Sequence, residues 1–297
     1  MKNKFVRFAL AFFAIFTMTI TGAMANTLEK AKTTGKFTLA YRESSIPFSY
    51  LGEDGKPLGF GWEMCKLIAE EVKKQTGRKD LVVESQAVTS QNRIPLIQNG
   101  TVDVECGSTT NNSERGKQVT FAINYFYTGT RFLVKADSGI KSINDLKGKK
   151  VVSTTGTTNY QILRNLNDEK KYGFELLGAK DHADALLMVE SGMAHAFGMD
   201  DILLYGLKAS SKESAKLAVV GESIQVEPYA IMFRKDDPQF QALVNKVITN
   251  SMKSGEFEKA YKKWFQTNIP PKNVNLNAPM SKELKDNLKN LSDKPAL

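Results

Sequence analysis

Apolar positions along this chain switch repeatedly between two periods, and the switches mark out its elements. Runs of β-branched and aromatic residues suited to strands fall at 36–41, 81–84, 102–106 and 131–135. Stretches with helical spacing lie between the first three, at 62–74, ending before Gly77, and at 92–98, closed by Asn99-Gly100, with a turn at Asp54-Gly55. Residues 142–146 read as a capped helical turn. A second set then begins: strands at 151–153, 174–177 and 194–199, and helices from Thr158 to about Lys171, at 184–190 and at 201–207. Such alternation predicts an α/β protein with parallel strands. A further strand over 229–234 leads away from the second set. The helices predicted at 238–253 and 256–265 have no strand between them, so they are expected to pack back on the first unit. After Pro270-Pro271 the chain is polar, with one weak helix over 282–291.

The first residues carry a different pattern. Lys2, Lys4 and Arg7 precede a nearly continuous apolar run over 8–20, and Ala23-Met24-Ala25 supplies a small-x-small site. This order predicts a secretory leader removed after Ala25, a mature chain starting at Asn26, and export to the periplasm. The run is shorter than the roughly 20 apolar residues of a comfortable bilayer span.

Composition then narrows the function. A length of 297 residues exceeds one ordinary domain and fits two. The chain holds 41 Lys+Arg against 32 Asp+Glu, a formal +9, and three of the cations sit in the leader. The remaining basic residues are interleaved with acids, as in Glu70-Glu71-Val72-Lys73-Lys74. They form solvated helix faces rather than a basic stripe with aromatics, so no nucleic-acid partner is expected. Cys65 and Cys106 are an even pair in an exported chain, which favours a disulfide; two separate buried thiols are the alternative. Two cysteines and two distant histidines do not make the four clustered ligands that zinc requires, and no metal or cofactor is expected.

Several polar residues fall where α/β folds place ligands, at the carboxyl ends of strands and the amino ends of helices. Arg42 follows the first strand, Ser90 and Arg93 open the helix after the second, and Ser108, Thr109 and Thr110 follow the third. Arg115 lies just beyond the expected cap Ser113; Thr157 and Thr158 start a helix after Gly156, and Asp200 follows the strand ending at Met199. Each alone reads as a solvated charge or a helix cap. Their joint placement suggests one site.

Three stretches together resemble the family of solute-binding proteins that serve ABC importers of polar amino acids. They are Gly59-Phe60 with the helix at 63–69, Asn92 to Gly100 with Val102-Asp103, and Asp145 to Lys149 with Val151 and Gly156-Thr157-Thr158. The pattern departs at Gly61, where the family usually has an acid, and at Trp62. The resemblance implies a two-lobed, type II periplasmic-binding-protein-like fold with a ligand cleft between lobes joined by two strands. The lobes expected are 26–129 with 225–297, and 130–224, with crossings near 128–132 and 225–229. It also implies roles. Arg115 would grip a ligand α-carboxylate through a forked contact, with Thr110 and the helix start at Thr158 adding donors. Asp200, helped by Ser108, would hold the α-ammonium. Arg42, Ser90, Arg93 and His182 resemble the cluster that receives a distal carboxylate, which makes L-glutamate and L-aspartate the expected cargo. His182 facing a carboxylate should bind best as imidazolium, whereas His195 in an apolar strand reads as structural. Phe48, Tyr50 and Phe60 divide evenly between pocket wall and core.

The same resemblance implies a monomer that is not an enzyme and docks on the permease of an ABC importer in the inner membrane. A dehydratase-like enzyme on the same fold and a binder of neutral polar amino acids are the alternatives. Against the first, no Ser-His-Asp or Cys-His constellation is readable. Against the second stand the arginines.

Overall fold

The computed structural model describes residues 26–296; the expected leader and its cleavage after Ala25 lie outside them. Two sheets organise the chain. The first has five strands in the order Val82–Ala87, Lys36–Tyr41, Val104–Glu105, Met232–Arg234 and Val119–Phe121. Its first three strands run parallel, with Leu39 opposite both Ser85 and Val104, and Met232–Arg234 is antiparallel to both its neighbours. The second sheet runs Glu175–Ala179, Lys150–Thr154, Ala196–Asp200, Phe126–Lys135 and Leu217–Val220, with Val226–Tyr229 paired to the start of Phe126–Lys135. Its first three strands are again parallel.

The ten-residue strand Phe126–Lys135 belongs to two settings. Its first residues pair with the returning strand, Phe126 with Tyr229 and Gly129 with Val226. Its later residues pair with Ala196–Asp200 and Leu217–Val220 inside the second sheet. At Gly129 a Cβ would collide with Ser223 and the Gln225 carbonyl, so only glycine admits so close a backbone approach there. Both sheets are covered by helices, and the molecule is a two-lobed mixed α/β fold.

The predicted strand over 229–234 is two strands, Val226–Tyr229 and Met232–Arg234, separated at Ala230-Ile231 where the chain passes from the strand pair into the first sheet. The helices Pro238–Ser254 and Glu256–Phe265 pack against Phe60–Thr76. Several pieces were not foreseen, the edge strand Val119–Phe121 of the first sheet among them. The polar helix Thr27–Thr34 is capped by Asn26 and ended by Gly35, and it buries only Thr27 and Ala31. The short strands between Ser44 and Leu58 and the strand Leu217–Val220 carry too few residues for a period to register.

Phe48, Tyr50 and Phe60 are core. Phe48 sits edge-on to Phe60, Tyr125, Phe126, Tyr229 and Phe265 with ring centroids 4.9–6.3 Å apart. Offset and edge-to-face pairs of this kind add to the burial of their area. This cluster fastens the start of the crossing strand to the helix Glu256–Phe265. The C-terminal segment returns over it: Asn287 donates to the Asn124 carbonyl, Asn124 donates to the Lys294 carbonyl, and Ala296 donates to the Asn111 carbonyl. Cys65, on Phe60–Thr76, is disulfide-bonded to Cys106, just past Val104–Glu105, with Cα atoms 5.7 Å apart.

Candidate functional site

In a parallel sheet, polar side chains at the carboxyl ends of the strands are left free to face a ligand. Here two such ends face each other. Arg42, Ser90 and Ser108 follow three parallel strands of the first sheet; Thr158, His182 and Asp200 follow or end three of the second. Eight of the nine predicted residues, Arg42, Ser90, Arg93, Ser108, Thr110, Thr158, His182 and Asp200, line one narrow cleft, closed down to a free volume of about 10 Å³. Thr157, Asn159, Met199 and Leu203 complete its wall. The ninth, Arg115, stands beside it, donating from Nη1 to the Thr110 carbonyl at 3.0 Å and from Nη2 to the Gly156 carbonyl at 3.2 Å.

The lobes meet across this space. Arg42 Nη2 lies 3.3 Å from Asp181 Oδ2, Ser44 donates to the other Asp181 oxygen, and the hydroxyls of Thr110 and Thr158 are 3.2 Å apart. Gly156, at φ +80°, brings its backbone against Gln91, where a Cβ would come within 2.8 Å of the Gln91 Cα. Glycine therefore serves both the turn and the approach.

Local capping explains several placements. Thr157 caps the helix Thr158–Lys170 by accepting from the Tyr160 amide, which sets Thr158 at its first position. Asp181 caps His182–Glu190 and so puts His182 at the first position of that helix, two residues earlier than its apolar spacing suggested. The short helix carrying Arg115 is capped by Asn112, which accepts from the Arg115 amide; Ser113, the expected cap, is the helix's first residue.

Three guanidinium groups converge here, with Arg42 0%, Arg93 2% and Arg115 8% exposed. Each has an acidic neighbour. Arg42 pairs directly with Asp181. Arg93 donates to the Thr109 hydroxyl at 2.6 Å, and that hydroxyl donates to Glu105 at 2.5 Å. Arg115 has Glu227 as its largest attractive charge. Burial, then repulsion from Arg115, push Arg93 down to about 9, which leaves it cationic at neutral pH. At the Arg42 end, Arg42 Nε and Nη1, Ser90 Oγ and Arg93 Nε are buried with no partner among the described residues. Donors buried in this way each cost free energy until an acceptor arrives.

Asp200 lies on the other side. Its oxygens accept from Asn159 Nδ2 at 2.8 Å and from the Tyr229 hydroxyl. Burial, reinforced by Glu227, holds its carboxyl well above the usual range. For Asp181, burial acts upward, but His182 and Arg42 outweigh it and hold the group low.

An imidazolium at His182, expected for a ring facing a ligand carboxylate, is disfavoured where the ring faces Arg42. The ring is fully buried, and burial followed by the charge of Arg42 lowers its pKa to about 3. Nε2 is 3.4 Å from Arg42 Nη2, and Nδ1 is 2.8 Å from the Thr154 hydroxyl. Beside Arg42, which can only donate, the neutral ring is the favoured form. His195 accepts the Lys150 amide on Nδ1 at the sheet's edge.

Sequence reasoning missed Glu227, Glu105, Tyr229, Asn159 and Asp181. Glu227 lies in the returning strand among residues that show no motif, and Glu105 sits in a two-residue strand. Asp181 carried a readable sign, since an Asp directly before a helical run is a favoured cap.

Two lobes with a donor-lined cleft closed between them define a binding protein of the periplasmic type. The chain belongs to the bacterial extracellular solute-binding proteins, family 3, whose profile matches residues 37–267. It is 50% identical to an L-glutamate/L-aspartate-binding protein of Pseudomonas aeruginosa, covering 92% of this chain and 91% of that one. It is 46% identical to a glutamate/aspartate import solute-binding protein of Escherichia coli K12, covering 92% and 90%. Among solved structures, a mutant of ArgBP from T. maritima superposes with a TM-score of 0.72 at 25% identity, covering 81% of this chain and all of that one.

Proposed function

We propose that this chain is the substrate-binding component of an ABC importer that binds L-glutamate and L-aspartate. The observation that carries the reading is the group of buried, unpartnered donors on Arg42, Ser90 and Arg93, opposite the buried acid Asp200. An α-amino acid with a second carboxylate matches that arrangement at both ends. Its α-ammonium faces Asp200, aided by Ser108, and its α-carboxylate takes Arg115, Thr110 and the helix start at Thr158. The distal carboxylate takes Arg42, Ser90 and Arg93, with neutral His182 packed behind Arg42. A glutamine side chain offers one acceptor oxygen and two N–H groups to a cluster made of donors, which leaves donors unpaired.

The lobes in this reading are 26–129 with 225–297, and 130–224, hinged where Phe126–Lys135 and Val226–Tyr229 pair. Ligand closes the lobes by its higher affinity for the closed arrangement, and the closed form docks as a monomer on the membrane permease. The protein acts in the periplasm after removal of residues 1–25, and it binds its cargo without transforming it. Calorimetric titration of the mature chain with the common amino acids tests the reading. Saturable binding of glutamate and aspartate, with glutamine far weaker, is expected; glutamine or arginine binding as tightly as glutamate would overturn it.

A further inference from the structure

We infer that Glu227 is an internal competitor for the ligand's α-carboxylate, and that the contacts through which it competes also tie the two lobes to the strand between them. This rests on the assignment of Thr110 and Thr158 to that carboxylate. Glu227 is fully buried on the returning strand Val226–Tyr229. Its Oε2 accepts from Thr110 Oγ1 at 2.9 Å and from Thr158 Oγ1 at 2.8 Å. Thr110 follows a strand of the first sheet and Thr158 begins a helix over the second, so one carboxylate oxygen joins both lobes. The other oxygen, Oε1, accepts from Gln225 Nε2 at 2.8 Å, which holds the side chain against its own strand.

A hydroxyl has one proton to donate. Thr110 and Thr158 therefore serve either Glu227 or an incoming carboxylate through that proton, not both. The competition extends to charge, because Arg115 feels Glu227 more strongly than any other acid. Glu227 stands to the two hydroxyls as an α-carboxylate would, while Arg115 feels its charge without a direct hydrogen bond. Its contacts are made in the closed protein and given up, wholly or in part, to the ligand. Contacts present only before binding lower affinity and speed release, and when cargo leaves, Glu227 takes the donors back. Neither threonine hydroxyl is left without an acceptor at any stage.

The test compares the mature protein with its Glu227→Ala and Glu227→Gln variants by calorimetry with glutamate and by small-angle scattering before ligand is added. Glu227→Ala should bind glutamate roughly fivefold or more tightly, the lower end of ordinary coupling between linked equilibria. It should also scatter as a more open particle than the parent. Glu227→Gln keeps the size and one acceptor oxygen, so it should change both readouts in the same direction by less, and it carries the test if the alanine variant does not fold. A folded variant that binds glutamate more weakly or equally, or that scatters as the parent does, overturns the inference. If the parent itself binds no acidic amino acid, the reading of the cargo fails, and the scattering comparison still decides whether Glu227 ties the lobes.

Discussion

Arg42 reaches from the first lobe to Asp181 on the second, its Nη2 3.3 Å from Asp181 Oδ2, while its Nε and Nη1 have no partner among the described residues. One edge of the guanidinium is thus spent on holding the lobes together and the rest remains for a ligand. A buried cation left half paired is unfavourable by itself, which makes the site selective for whatever completes it.

In the proposed reading Arg93 and Arg115 separate by the end of the ligand each would meet. Arg93→Ala should weaken glutamate and aspartate by about 2–5 kcal/mol, the usual cost of truncating one partner of a buried charged contact. Glutamine should lose far less. Arg115→Ala should abolish binding of all three, because it acts on their common end. Competition titrations with the two variants check this, and an equal loss for every ligand in Arg93→Ala would dissolve the division of labour.

Asp200 should release a proton as ligand binds. Burial and Glu227 raise its pKa, and an ammonium group docking beside it favours the charged form. Titrations at a pH below that raised value, in buffers of different ionisation enthalpy, should differ in heat accordingly; identical heats count against the assignment. A raised acid contributes stability that is present below its unfolded pKa and lost as pH rises through the folded one. Asp200→Asn should therefore be more stable than the parent at neutral pH while losing ligand binding, as thermal melts and titrations will show.

His182 gives the opposite slope. Its unfolded value of 6.5 drops to about 3 in the fold. The contribution is present above pH 6.5 and is lost as pH falls towards 3, because only the unfolded chain takes up the proton. Over the first 2.5 or so pH units the loss is about 3 kcal/mol. Denaturant unfolding at a series of pH values should show this decline, and His182→Gln should flatten it. Parallel curves for parent and variant would mean the ring is not held neutral.

The Cys65–Cys106 bond closes a loop with a sequence separation of 41. Chain-entropy reasoning gives it about 4 kcal/mol, with measured cases commonly nearer 2–4. Replacing both cysteines with serine should lower stability by that order. Cys106 lies two residues before Ser108, so affinity should fall as well. Melting and titration of the double variant check both effects.

The periodicity of the chain determined much of this molecule without help from its tertiary structure. Alternating strands and helices specify a layered α/β protein, because the two periods dictate which side chains each element buries. The candidate residues at strand ends were legible for a related reason: Arg42, Ser90, Arg93, Ser108, Thr110, Thr158 and Asp200 sit beside strand and helix boundaries that local residues mark. What only the folded molecule decided depends on neighbours remote in sequence. The His182 pKa is lowered by burial and then by Arg42, 140 positions away. The Asp200 pKa is raised because burial and then Glu227 oppose the charge. Glu227 itself has no local pattern to announce it, for its partners Thr110 and Thr158 lie 117 and 69 positions distant. Local pattern reports which face of an element is buried, whereas charge state and cross-lobe pairing follow from distances in space that no short window of sequence contains.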